Sequence, residues 1–230
     1  HKYFIVFILG CFSSFGLVTY NLFFFTLFAV VLSLFLLDYI SKLRESFYAG
    51  FLYGLGFHIS SLYWIAISFK TANFGGYLLG SAAVFLLCSF LSIFSALSFL
   101  FIKYLSGKTN ILSKSLIIIL IFSISDWVKG NILWGFPWTP ISAIWTFNET
   151  VMIPFSYLGV WGYSLITYVL IVSIYTIKKS LKVGIYIFVP LILSLLTCYL
   201  YPKKNERFAE NFNVRLIQPN IKQDDKWDTG

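Results

Sequence analysis

Apolar residues run along this chain in long unbroken blocks, separated by short polar or charged stretches. The blocks lie at 3–18, 22–40, 47–69, 77–102, 111–128, 151–177 and 181–201. A membrane-crossing helix needs roughly 20 mostly apolar residues, with ~17–25 as the usual range. The pattern therefore predicts about seven transmembrane helices, the first short and the fourth and sixth long. None of the blocks shows the two-residue alternation of a barrel strand, and a lipid-exposed backbone must satisfy its own hydrogen bonds, so helices are the expected element.

Composition agrees with the pattern. Of 230 residues, 59% are hydrophobic, 21% aromatic and only 11% charged, and the mean hydropathy is +0.83. A soluble domain is about 25% charged. Too few polar residues remain to cover a globule of this size, which excludes a soluble enzyme and a disordered chain. The net charge of +8 raises the question of nucleic acid, but no basic face or aromatic RNA-stacking platform accompanies it.

The basic residues instead follow membrane topology. With the N-terminus on the cytoplasmic side, nine of them (Lys2, Lys42, Arg44, Lys103, Lys108, Lys114, Lys178, Lys179 and Lys182) fall on inner segments, against Lys70 and Lys129 on outer loops before residue 202. Positive charge favours the inner side, so the tail after Pro202 is expected outside. The patterns Gly50-Phe51-Leu52-Tyr53-Gly54 and Gly76-Tyr77-Leu78-Leu79-Gly80, with Ser89, Ser92 and Ala96, predict close helix contacts through small residues.

Ionisable groups inside apolar blocks are expensive and invite a functional question. Asp38, with Lys42 four residues on, reads as a helix-end pair. Asp126, with Lys129 three residues on, reads either as an interfacial ion pair or as a group positioning an outer-face site. His58 reads as packed or hydrogen-bonded to a neighbouring helix, with proton relay as the alternative. Cys11, Cys88 and Cys198 are far apart within apolar runs and read as small buried hydrophobes, without metal or disulfide spacing.

Five of the seven tryptophans (Trp127, Trp134, Trp138, Trp145 and Trp161) fall between residues 127 and 161. An aromatic belt would spread over both interfaces. The segment 130–140 also holds Pro137 and Pro140, which forbid a continuous helix. Irregular backbone at membrane depth is tolerated only when packed on protein or lining a cavity. This favours a lipid cavity in the outer leaflet over a plain belt.

After residue 201 the character changes. Residues 202–212 form a charged linker, and Asn213-Val214-Arg215-Leu216-Ile217-Gln218-Pro219-Asn220 reads as a short strand ended by its proline. One strand cannot stand alone, so residues 213–230 read as the start of a truncated extracytoplasmic domain. A first residue of His and a polar finish likewise suggest a piece of a longer chain.

Several blocks resemble one known family. They are Gly50-Phe51-Leu52-Tyr53-Gly54-Leu55-Gly56-Phe57 with Tyr63-Trp64-Ile65; Asp126-Trp127-Val128-Lys129-Gly130 with Gly135-Phe136-Pro137-Trp138; Tyr157-Leu158-Gly159-Val160-Trp161-Gly162; and Gln218-Pro219-Asn220-Ile221 running on to Lys226-Trp227-Asp228. Together they resemble bacterial apolipoprotein N-acyltransferase over essentially the whole chain. The family usually has Glu where Asp126 stands, which keeps the charge and shortens the reach. The resemblance implies a polytopic protein of the bacterial inner membrane that carries a periplasmic α/β nitrilase-like domain. Its reaction moves an acyl chain from a phospholipid to the α-amine of the lipidated N-terminal cysteine of a prolipoprotein. The family's Glu-Lys-Cys triad would lie beyond Gly230, so the piece alone is expected to be inactive, and no cofactor or metal is implied.

The candidate substrate-binding set is Trp134, Phe136, Trp138, Trp227 and Asp126. Trp227 joins it because a linker of about a dozen residues reaches at most ~40 Å, which lets the tail return to the outer surface. Two other classes stay open: a non-catalytic lipid-handling or scaffold domain, and a small-molecule transporter. A transporter usually breaks its helices near the bilayer midplane, whereas the irregular segment here lies at an edge.

Overall fold

Long apolar runs with few Gly or Pro interruptions satisfy their backbones locally, and the chain folds accordingly into helices. The computed structural model describes residues 2–17, 20–72, 75–132 and 135–200, with Arg215, Ile217, Gln218 and Asn220. Among these residues the α-helices are α1 Lys2–Ser13, α2 Phe23–Tyr39, α3 Leu43–Leu62, α4 Ile65–Thr71, α5 Gly76–Leu105, α6 Ile111–Asn131, α7 Glu149–Met152, α8 Phe155–Ile177 and α9 Leu181–Leu200. Asn110 caps α6 by accepting the Ser113 N–H at 2.9 Å, a standard helix-start device.

Four helices (α5, α6, α8 and α9) are long and apolar enough to cross a membrane, and α3 with α4 makes a fifth if that bent pair counts as one. The first two predicted spans are helical but shorter, at 12 and 17 residues. The block at 47–69 is not one helix: it bends by 44° between Leu62 and Ile65. Ser60 and Ser61 precede the bend. The Ser61 hydroxyl donates to the His58 carbonyl at 3.3 Å, and the Trp64 indole N–H donates to the Ser61 carbonyl at 3.0 Å. Side chains that compete for helical carbonyls in this way bend helices. The block at 151–177 also divides, because α7 stops before Pro154 and α8 breaks at Gly159, whose φ of 64° and ψ of −179° are reached by glycine almost alone. Of the predicted strand at 213–220, the four described residues are in no strand. The rest of it lies outside the described residues, with the linker at 202–212.

Small residues set the closest helix contacts. A Cβ on Gly54 would lie 2.9 Å from the Ser95 Cβ and 3.0 Å from the Ser92 Cα, and one on Gly50 would lie 2.9 Å from the Ala96 Cα. These seat α3 on α5, as the small-residue pattern predicts. Gly80 packs on Ala66 and Phe69 of α4, whereas a Cβ on Gly76 would meet nothing within 4 Å. Gly76 has a φ of 61° and opens α5 rather than packing against a neighbour. The main core joins Val30, Leu34, Phe99, Ile118, Phe122, Ile171 and Tyr175 from α2, α5, α6 and α8.

Contacts between helix ends show how the segments alternate. Lys2 bonds Glu45, and Asp38 bonds both Lys114 and Lys179, so the basic segments gather at one end. Phe23 stacks on Phe147, Trp64 approaches Trp138, and the Tyr199 hydroxyl donates to the Thr150 carbonyl at the other. Asp38 thus takes partners from distant helices rather than the predicted Lys42. Its helix ends at Tyr39, so the four-residue spacing to Lys42 never lies on one helical face.

Candidate functional site

The irregular segment after α6 is built from its own sequence. Ile132 leaves the helix in extended conformation. Gly135 turns the chain back with a φ of 74°, and its N–H donates to the Ile132 carbonyl at 2.8 Å. A side chain at Gly135 would collide with the Gly130 carbonyl, so only glycine fits. The Phe136 N–H then donates to the Lys129 carbonyl at 2.9 Å. Thr139 and Pro140 are buried, and Ile141–Trp145 forms a 3₁₀ turn. The aromatic loop is irregular where its prolines predict, and it is packed on protein.

Asp126 and Lys129 fasten this loop from beneath. Asp126 Oδ1 accepts from Lys129 Nζ at 3.0 Å, while Oδ2 accepts the Ile141 N–H at 3.1 Å and the Tyr168 hydroxyl at 3.0 Å. Lys129 Nζ also donates to the Thr139 carbonyl at 3.4 Å. The pair is therefore in place, but buried: each residue is only 7% exposed. Two opposite charges out of water are tolerated when each is well bonded, and here the bonds run to both flanks of one loop. Farther along, the Trp145 indole N–H donates to Thr167 Oγ1 at 2.8 Å, and Ser142 Oγ donates to the Val160 carbonyl at 3.1 Å.

Behind the clamp lies a cavity of about 70 Å³, lined by Asp126, Lys129, Thr139 and Tyr168 and by His58, Tyr53, Ser13 and Thr26. Among the described residues, His58 Nδ1 and Thr139 Oγ1 have no hydrogen-bonding partner. The lining is mainly apolar, with Phe94, Phe99 and Phe122 among it, and these polar groups face a space that suits one or two waters at ~30 Å³ each. The structure buries His58, as the sequence suggests, at the wall of this cavity.

The aromatic face is a separate surface of the same loop. Trp138 is 63% exposed, with its ring 5.9 Å from Trp64 and 6.4 Å from Phe136. Phe136 packs inward on Leu62, Val84, Cys88 and Leu91. The structure thus brings Phe136 and Trp138 together and places Asp126 behind them, facing the chamber. Trp134 and Trp227 lie outside the described residues. Trp64 is a neighbour that spacing alone missed; its signal was a tryptophan just after the Ser60-Ser61 pair, where a helix can bend. At the same end, an apolar cleft of about 190 Å³ opens between α8 and α9, lined by Trp145, Tyr163, Leu170, Phe188, Leu191 and Tyr199.

Comparison with known proteins follows the same residues. Residues 9–174 match the family model described as Apolipoprotein N-acyltransferase N-terminal domain. The chain is similar to the Apolipoprotein N-acyltransferase of Rickettsia prowazekii, at 30% identity over 188 residues, which cover 78% of this chain and 36% of the relative. That of Rhodopseudomonas palustris is 27% identical over 76% of this chain and 34% of its own length. That of Photobacterium profundum is 29% identical over 95% of this chain and 42% of its own. The chain thus spans about a third to two-fifths of the length of these relatives.

Proposed function

The chain belongs to the apolipoprotein N-acyltransferase family, and from that premise we propose that it is the membrane part of such an enzyme, holding the phospholipid donor at the aromatic end of its bundle. The acyl chain passes from the phospholipid to a nucleophilic cysteine of a nitrilase-like domain, and from there to the α-amine of a lipidated N-terminal cysteine on a prolipoprotein. The triad that performs both steps stands beyond residue 230, and residues 1–230 alone form no acyl-enzyme. The seven apolar helical segments span the bacterial inner membrane, with the lysine-rich end in the cytoplasm and the aromatic end facing the periplasm.

One observation carries this reading: an exposed aromatic loop is fastened by a buried ion pair at one end of an otherwise lipid-facing bundle. Loose aromatic anchors need no such clamp. Trp138, Trp134 and Phe136 offer flat apolar area to an acyl chain, and an indole N–H can meet headgroup oxygens. Trp227 is included in the same proposed donor-binding set. Asp126 acts as a positioning residue through the bonds to Ile141 and Lys129.

The test uses the protein at its natural length. Trp138→Ala, once shown to insert and fold, should slow acyl-enzyme formation from phospholipid about tenfold, a loss of about 1.4 kcal/mol in transition-state binding. Formation of the acyl-enzyme and its transfer to the amine are measured separately. Unchanged rates of both steps in Trp138→Ala and Trp227→Ala would reduce these residues to anchors.

A further inference from the structure

The end of the bundle away from the aromatic loop carries more positive charge than its partners neutralise. Asp38, in the last turn of α2, bonds Lys114 of α6 and Lys179 just before α9. The Tyr175 hydroxyl also reaches both of its oxygens at 3.0 Å. Lys103 of α5 donates to the Leu37 carbonyl, one residue before Asp38, at 3.5 Å. One carboxylate therefore stands among three ammonium groups. The Asp38, Lys114 and Lys179 side chains are only 19%, 22% and 31% exposed. Excess charge that is partly withdrawn from water is costly without a counter-ion.

An apolar groove of about 560 Å³ begins beside this cluster. Leu112, two residues before Lys114, forms one wall, and Lys182, Val183, Tyr186, Val189 and Pro190 of α9 form the other. From Lys182 to Pro190 the α9 wall runs ~12 Å along the helix axis. The same helix exposes Ile185, Leu193 and Leu196, so the groove opens toward the hydrocarbon of the bilayer, where lipid is its neighbour.

We infer that this seam of α6 and α9 is a binding site for an anionic phospholipid, its acyl chain in the groove and its phosphate among Lys182, Lys179 and Lys114. Basic pockets between membrane helices hold acidic headgroups in this way. Charge and groove fit one molecule, because the lysines supply the charge that the phosphate needs and the groove offers apolar walls to the tail. The site lies at the opposite end from the aromatic loop and does not depend on the reading given to that loop.

Native mass spectrometry of the purified protein at its natural length tests the site, with phosphatidylglycerol and phosphatidylcholine of identical chains as probes. Phosphatidylglycerol should be retained about tenfold or more over phosphatidylcholine. Lys182→Gln should lower that preference about fivefold, the worth of one lysine beside an acidic lipid. Val189→Trp, which fills the groove from its lipid side, should remove the preferred adduct while helicity by circular dichroism stays at the parent value. Lys70→Gln, which removes a lysine at the other end, should leave the preference intact. Equal retention of both lipids, a full preference surviving in Lys182→Gln or Val189→Trp, or its loss in Lys70→Gln would each overturn the assignment.

Discussion

Removing the Asp126 carboxylate alone should cost this protein more than removing both charges of the clamp together. In Asp126→Ala the Lys129 ammonium stays buried, with only the Thr139 carbonyl at 3.4 Å to hold it among the described residues. The Ile141 N–H and the Tyr168 hydroxyl lose their acceptor as well. Breaking a buried ion pair by removing one partner costs ~3–5 kcal/mol, so about 4 kcal/mol is expected. In Asp126→Ala with Lys129→Met no bare charge remains. What is left is the loss of the loop's hydrogen bonds, at ~1–3 kcal/mol for an orphaned buried donor. The double variant should therefore be more stable than Asp126→Ala by about 2 kcal/mol.

The assay is thermal unfolding of the detergent-purified protein, followed by tryptophan fluorescence, with all four corners of the cycle measured. For a chain of this size ~1 kcal/mol shifts Tm by roughly 2–4 °C, so Asp126→Ala should unfold about 10 °C below the parent. The double variant should recover about half of that fall. A double variant at or below the Asp126→Ala midpoint would refute the argument. So would an Asp126→Ala cost under ~1 kcal/mol, which is the range of a solvated surface pair.

Two further predictions follow from the packing and the charge pattern. Gly54→Val places carbon 2.9 Å from the Ser95 Cβ and should lower stability by about 1–3 kcal/mol in the same unfolding assay; Gly107→Ala, with its nearest contact at 3.6 Å, should leave the midpoint unchanged. A single cysteine placed at Lys108 in an otherwise cysteine-free protein should resist an impermeant maleimide in intact cells, whereas one placed at Trp138 should label; rapid labelling at 108 would invert the proposed topology.

The helical character was legible because apolar block length is set locally by the membrane, and one side chain seldom overrides it. The breaks were less legible. Pro190 lies inside α9 and the helix continues through it, while the bend at Tyr63 and Trp64 has no proline at all. What marks that bend is Ser61 and Trp64 taking up helical carbonyl and indole bonds, a signal too ordinary in sequence to separate from background. Gly159 stood out in sequence only as part of the block 157–162, yet it has nothing within 4 Å of its would-be Cβ and a φ of 64°. Its role is conformational, and glycine's two uses look alike in one dimension.

The charged groups divide in the same physical way. Asp126 and Lys129 share one helix, so spacing found the pair; Asp38 sits one residue from a helix end, so its partners came from α6 and from the turn before α9. Burial could not be read either way, because it depends on what the loop does after leaving α6. That loop returns over Asp126 because Gly135 reverses it and the Ile141 N–H requires an acceptor, which the carboxylate supplies. The fourteen-residue segment 132–145 thus meets the buried pair of α6 on its inner side, through Thr139 and Ile141, and carries exposed Trp138 on its outer one. A substitution that frees the inner side should loosen the outer one, even where it touches no aromatic ring.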